Sequence, residues 1–279
     1  FGPAVHIDTG LQVLANAGGL ALGVGALLRR HKIDFLRGCL APDRALAKNL
    51  APYPRHTHNW GRVVRLLDEA SDEGERAFFL GYMCHLAADV VSHNYFLPVR
   101  MVHSPLPRLG WHAYWEMRFD ARVKGRLVPE TMRSLHMDAR EHRRFLAEIL
   151  PPSPVAAPVN IGIAGFVMQL QRFRAFRSAS EGLDRASRLV LGDDEVADVR
   201  ALAIAAQLAA LEDPHAAAIF AIDPRGLASM KLGKRLRRGL VAMDGPGLDE
   251  VVVPDSMAAF ARTYFRDLVT SVVPACAAA

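Results

Sequence analysis

The run His85-Leu86-Ala87-Ala88-Asp89-Val90-Val91-Ser92-His93 sets two histidines and an aspartate four residues apart inside an apolar stretch. On an α-helix, residues four apart share a face, with β-carbons about 5–6 Å from one another. His85, Asp89 and His93 therefore form one stripe of imidazole, carboxylate and imidazole. The neighbours Phe78, Phe79, Leu80, Met83, Leu86, Val90 and Val91 belong to a buried helix. Ionisable groups on such a helix are costly unless they are paired or bound to metal. The run predicts a buried helix carrying part of a metal site, with further ligands elsewhere in the chain.

Working outward, 51% of the 279 residues are hydrophobic and 23% charged, the balance of a globular chain. Ala, Leu and Arg dominate and β-branched residues seldom alternate with polar ones, so the expected fold is all-α, a compact multi-helix bundle. We read residues 1–279 as one domain, with the ligands within 1–120 and 151–279 completing the bundle and the cleft. The formal net charge of +5 suits an anionic partner, though an Arg-rich proteome gives the same balance. Cys39, Cys84 and Cys276 form neither a zinc-finger pattern nor a disulfide framework, and Cys84 reads as a packed thiol. Leu11 to Leu28 is apolar enough to approach a membrane span, but Gln12, Asn16 and four glycines favour a core helix. Its basic flank follows the apolar stretch, the reverse of a signal peptide. Residue 1 is Phe, and a free residue 1 fits processing, so we favour an extracytoplasmic protein, secreted or periplasmic.

Helices are expected from about Ala4 to Arg30, shortly after the turn Ala41-Pro42-Asp43, and from Trp60 to Ala70. Asp72 and Glu75 have capping-box spacing and open a long helix reaching about Pro98. Pro98, Pro105 and Pro107 are read as enforcing a loop. Further helices are expected over Trp111–Arg126, Glu130–Leu150, Gly162–Val190, Asp194–Leu211, Pro224–Val241 and Asp255–Val273. Pro151 to Pro158 is the clearest linker, and Asp244-Gly245-Pro246-Gly247 marks a turn. Neither a G-x-G-x-x-G nor a G-x4-G-K-S/T run occurs, which leaves nucleotide folds without support.

The remaining candidate ligands lie close by in sequence. His6 stands at the start of the first helix, and Asp43 in a turn that exposes its carboxylate. His58 sits in Arg-His-Thr-His-Asn-Trp, and His112 and Glu116 are again four apart. Imidazole nitrogen and carboxylate oxygen without sulfur suit Zn²⁺ or a similar ion. Eight such groups exceed one tetrahedral ion and suggest two or three, an arrangement typical of phosphoryl-ester hydrolysis.

In its order of amino-terminal His, Ala-Pro-Asp, Thr-His, H-x3-D, His and H-x3-E, the chain resembles the zinc-dependent phospholipase C superfamily, which includes fungal single-strand nucleases. The resemblance covers about residues 1–120 as motifs and the whole chain as a helical layout. Phe78 to His93 is most similar to the branch represented by the catalytic domain of glycosylphosphatidylinositol-specific phospholipase D. It implies that His58, His85 and Asp89, with Asp43 close by, hold one zinc. His93, His112 and Glu116 would hold a second. His6, the amino nitrogen and carbonyl oxygen of Phe1, and Asp89 as a bridge would hold a third. Asp43 would be the general base for the attacking water, or alternatively a ligand. In the bacterial phospholipases C and the nucleases the next His stands further from the Asp. Here His93 follows Asp89 by four residues, which favours the lipase-like branch over the nuclease branch.

The function expected from these residues is a zinc-dependent phosphodiester hydrolase acting on a phospholipid or related head-group ester. Alternatives are a nuclease on the same core, or a core reused on a substrate without phosphorus or as a non-catalytic module. Nucleic acid is the weaker partner, because stacking platforms must come from five Tyr and three Trp. His56 is read as an exposed neighbour, His103 as a loop residue near the site, and His31, His136, His142 and His215 as surface residues. Trp60, Trp111, Tyr114 and Trp115 either line a pocket or pack the core. The basic segment Lys231–Arg238 could approach an anionic membrane surface, but a solvated helix face is its default reading. The second half shows no chemical motif.

Overall fold

The computed structural model describes residues 1–21, 23–44, 56–103, 111–123, 182, 184, 187, 189–244 and 253–273. Among them all regular structure is helical, as the composition predicts. The helices are α1 (Pro3–Ala15), α2 (Val24–Arg30), α3 (Lys32–Gly38), α4 (Trp60–Asp68), α5 (Glu73–Val91), α6 (Leu97–Val102), α7 (Trp111–Arg122), α8 (Asp193–Glu212), α9 (Leu227–Asp244) and α10 (Asp255–Thr270). A 3-10 turn spans Ala41–Arg44, and a π-helical turn, Ser92–Phe96, joins α5 to α6. The helices expected over 130–150 and 162–190, the linker at 151–158 and the turn at 244–247 fall wholly or largely outside the described residues.

The central element is α5. It starts where the capping box predicts: the Asp72 side chain accepts from the Glu75 N–H at 2.8 Å, and the Glu75 side chain accepts from Ser71 N–H at 2.9 Å. From Leu80 to Val91 every residue is buried, as a helix surrounded by others requires. It packs against α3, α4 and α8, with α1 also touching it. The α3 contact brings backbone onto backbone. A β-carbon on Gly38 would lie 1.9 Å from the Phe78 carbonyl oxygen, and one on Gly81 would lie 2.0 Å from that of Phe35. Only glycine at both positions allows the helices to meet this closely.

Two expectations are corrected. The helix expected from Ala4 to Arg30 breaks after Ala15, passes through a 3-10 turn at Ala17–Gly19 and resumes at Val24. Gly18, Gly19 and Gly23 interrupt it, and Gly23 takes φ +95°, outside the helical range. No described helix is long and apolar enough to cross a membrane. Pro98 also does not end its helix. The chain widens by one residue ahead of it, so that Leu97 N–H bonds to Ser92 O, and continues helically to Val102. Pro98 has no N–H to offer Asn94 O, and a π turn absorbs that loss. The Asn94 side chain donates to Val90 O at 3.1 Å, a further hydrogen bond within the turn.

The second half is fastened by buried charge and hydrogen bonds. Arg200 of α8 grips the Asp8 carboxylate of α1, Arg118 of α7 reaches Asp184 at 2.8 Å, and Arg100 pairs with Glu195. The Arg100 and Arg118 guanidiniums lie 4.7 and 5.0 Å from the centre of the Trp115 ring. Trp115 and Trp60 are therefore core residues, the latter donating from Nε1 to Ile222 O at 2.9 Å.

Candidate metal centre

The stripe carried by α5 (His85, Asp89) and the π turn after it (His93) meets groups delivered by α1, the 3-10 turn, the segment before α4, and α7. One group comprises Asp43, His58, His85 and Asp89, and a second His93, His112 and Glu116. Within each, one nitrogen or oxygen per residue lies within 4.8 Å of the others. In the first, Asp89 Oδ2 is 2.9 Å from His58 Nε2 and 3.3 Å from His85 Nε2, while Asp43 Oδ1 stands off at 3.6 and 3.8 Å. In the second, His112 Nε2 lies 2.9 Å from Glu116 Oε1 and 3.1 Å from His93 Nε2.

The other oxygen of Asp89 faces a third set. Oδ1 is 2.9 Å from the Phe1 amine and 3.4 Å from His6 Nε2, and the amine also approaches Glu116 Oε1 at 3.0 Å. The Phe1 ring is anchored in the core by Phe96 and Phe119, at 6.3 and 5.1 Å between ring centres. All nine residues singled out in the sequence thus converge, and none is displaced. The centre is closed at His6, His85 and Asp89 and opens towards solvent at Asp43 and His112, whose side chains are 32% and 48% exposed.

Electrostatics follow from burial and proximity. Burial favours a neutral Asp89, but the Phe1 amine, His93 and His85 outweigh it and hold the carboxyl well below the usual carboxylate range. Glu116 follows the same pattern: burial is outweighed by the amine and His112. Burial also opposes charge on the amine, yet Asp89, Glu116 and Asp43 raise it to about 11. Burial and then His85 push His6 down to about 4, so it stays a neutral ligand-type imidazole.

Second contacts orient the rings. His85 Nδ1 donates to Cys39 O at 2.8 Å and His93 Nδ1 to Pro224 O at 2.7 Å, which leaves each Nε2 as a lone pair directed inward. His58 Nδ1 lies 3.0 Å from the Thr57 hydroxyl. Sequence reasoning missed Pro224, because a backbone carbonyl has no residue signature. His56 is corrected: it is buried, and its Nδ1 accepts from the His58 N–H at 3.0 Å. His103 caps α6 rather than entering a loop, donating from Nδ1 to Val99 O at 2.8 Å. Of the other histidines, His215 is exposed and His31 sits half-buried beside Glu73, while His136 and His142 lie outside the described residues.

Zinc fits this donor set. The Nε2 atoms of His58 and His85 face each other at 3.3 Å, and those of His93 and His112 at 3.1 Å, so each pair brings two imidazole nitrogens to one point where a cation would be shared. Neither ring nitrogen of buried His6 has a hydrogen-bond partner among the described residues. Imidazole nitrogen and carboxylate oxygen, the donor types gathered here, are both ordinary zinc ligands. Cys39 and Cys84 are buried free thiols in the packing, not ligands.

No curated protein and no solved structure matched the chain. A family model described as zinc dependent phospholipase C matches residues 5–151, more than half of the chain and all of the converging side chains after Phe1. By that match the chain belongs to the zinc-dependent phospholipase C family.

Proposed function

We propose that the protein is a phosphodiester hydrolase of phospholipase C type, acting on a phospholipid or a related head-group ester with two to three zinc ions. The observation that carries this reading is the division of Asp89, one oxygen towards His58 and His85 and the other towards Phe1 and His6. In this reading His58, His85 and Asp89, with Asp43 close by, would hold one ion and His93, His112 and Glu116 a second. His6, the amine and carbonyl of Phe1, and Asp89 hold a third. Bound zinc supplies Lewis acidity, lowering the pKa of water and neutralising phosphoryl oxygens.

The chain's own residues set the rest. Asp43, at the solvent-facing edge, takes the proton from the attacking water at a carboxylate oxygen. His112 is the other solvent-facing group of the centre, so the phosphoryl group approaches from the exposed side of Asp43 and His112. Carbonyl-held His85 and His93 keep their rings fixed through the reaction, and the buried floor of His6 and Asp89 excludes bulk water.

The test compares zinc-loaded protein on short-chain phosphatidylcholine and on single-stranded DNA. Diacylglycerol and a phosphorylated head group are expected, lost with a chelator and restored by zinc. Phosphatidic acid would move the cleavage to the other ester bond. Preferential cleavage of DNA would replace the lipid reading with the nuclease one. Absence of zinc-dependent hydrolysis of either phosphodiester would overturn the reading in favour of a core reused on a substrate without phosphorus or as a non-catalytic module.

A further inference from the structure

His112 and Glu116 do not end their stripe. One turn further along α7 comes Asp120, so this helix repeats the four-residue spacing of α5 with a different outcome. The two carboxylate oxygens of Asp120 are directed at backbone donors of another helix: Oδ2 accepts from Ala4 N–H at 3.2 Å and Oδ1 from Val5 N–H at 3.1 Å. These are first-turn amides of α1, which have no partner within the helix. The residue at the helix's own cap is Gly2, which has no side chain to cap with. A β-carbon there would lie 2.2 Å from Asp120 Oδ2, so the absent side chain makes room for a cap delivered from α7.

We propose that Asp120 is a positioning residue: by capping α1 from α7 it fixes Phe1 and His6 over Asp89. The two elements are then joined at successive turns of one helix face. Glu116 meets the Phe1 amine at 3.0 Å and Asp120 holds the amides three and four residues on. His6 follows one residue after the gripped Val5, and its own ring nitrogens have no hydrogen bond to orient them. The ring stacks on that of His85 at 3.8 Å between centres, and α1 sets where it stands. Asp120 itself is not a ligand in this arrangement, since its oxygens are turned to the amides.

The inference rests on the reading that Phe1 and His6 hold zinc, and its test separates the two. The variants are Asp120→Ala, Asp120→Asn, which keeps one acceptor oxygen, and Arg200→Ala. The last removes a different clamp on α1, the pair with Asp8, without touching the first turn. Zinc retention against a competing chelator is measured well below each variant's unfolding midpoint. Acylation of the Phe1 amine by an amine-selective reagent is followed by mass spectrometry. Asp120→Ala is expected to weaken retention by about tenfold or more, the usual consequence of losing a supporting contact. Its amine should also react at least about tenfold faster as the grip is lost. Asp120→Asn should fall between, and Arg200→Ala should match the wild type in both despite lower stability. Wild-type behaviour of Asp120→Ala, or equal losses in Arg200→Ala, overturns the proposal. If the wild type retained no zinc, the functional reading would fail, and the acylation rates would still decide the role of Asp120.

Discussion

At the scale of single residues, the two carboxylates nearest His58 and His85 differ in burial and distance. Asp89 is buried and 2.9 Å from His58 Nε2, whereas Asp43 is about a third exposed and 3.6 Å away. A buried carboxylate held this far below its ordinary pKa is a poor proton acceptor and a good ligand; the outer one is accessible to water and substrate. Asp43→Asn keeps the shape and removes the basicity. It is expected to lower kcat by roughly 10²–10⁴-fold, the range for a general base, while zinc retention changes by less than about tenfold. Steady-state rates and metal content on one preparation check this. A loss of zinc in step with activity would make Asp43 a ligand instead. Residues of this kind were legible because spacing and side-chain chemistry both point to them. His56 was not, since its buried hydrogen bond to the His58 amide depends on a turn that composition does not reveal.

At the scale of elements, the seam between α3 and α5 connects packing to the metal centre. Gly38 and Gly81 let the two backbones touch, and one turn after Gly81 stands His85, whose Nδ1 is held by Cys39 O at the end of α3. Gly81→Ala must push the helices apart, because the obstacle to the new β-carbon is backbone, 2.0 Å away. A destabilisation of about 1–3 kcal/mol or more is expected from the overpacking. As the Cys39 carbonyl recedes, zinc retention should weaken with it. Urea unfolding and chelator competition measure the two effects, and loss of stability with unchanged retention would show that the seam does not orient His85. The long helix and its cap could be read from Asp72, Glu75 and the apolar run. The glycine break in the first helix and the π turn before Pro98 could not. Both depend on how the backbone compromises locally: glycine releases it, and proline withholds one donor.

At the scale of the whole molecule, the second half lies beyond the family match yet holds residues of the candidate centre in place. The turn before α9 presents Pro224 O to His93 Nδ1 at 2.7 Å, and Asp223 O accepts from the Asn94 side chain at 2.9 Å. Ser229 donates to Asn94 Oδ1 at 2.8 Å, so three residues of one turn and helix secure the π segment that carries His93. None of this was visible in a sequence region without histidine pairs or acidic spacing, because two of the three contacts use carbonyl oxygens. Gly226 closes the turn at φ +57°, where a β-carbon would lie 2.1 Å from His93 O. Gly226→Ala therefore combines a left-handed backbone, costing about 1–2 kcal/mol, with a clash against the strand of chain it supports. We expect a stability loss of at least about 2 kcal/mol and weaker zinc retention, since His93 would lose the acceptor that fixes its ring. Pro224→Ala keeps the carbonyl and should retain zinc as the wild type does. Chelator competition on both variants, with urea midpoints alongside, decides the matter: if Gly226→Ala lost stability but held zinc unchanged, the second half would pack around the centre without orienting it.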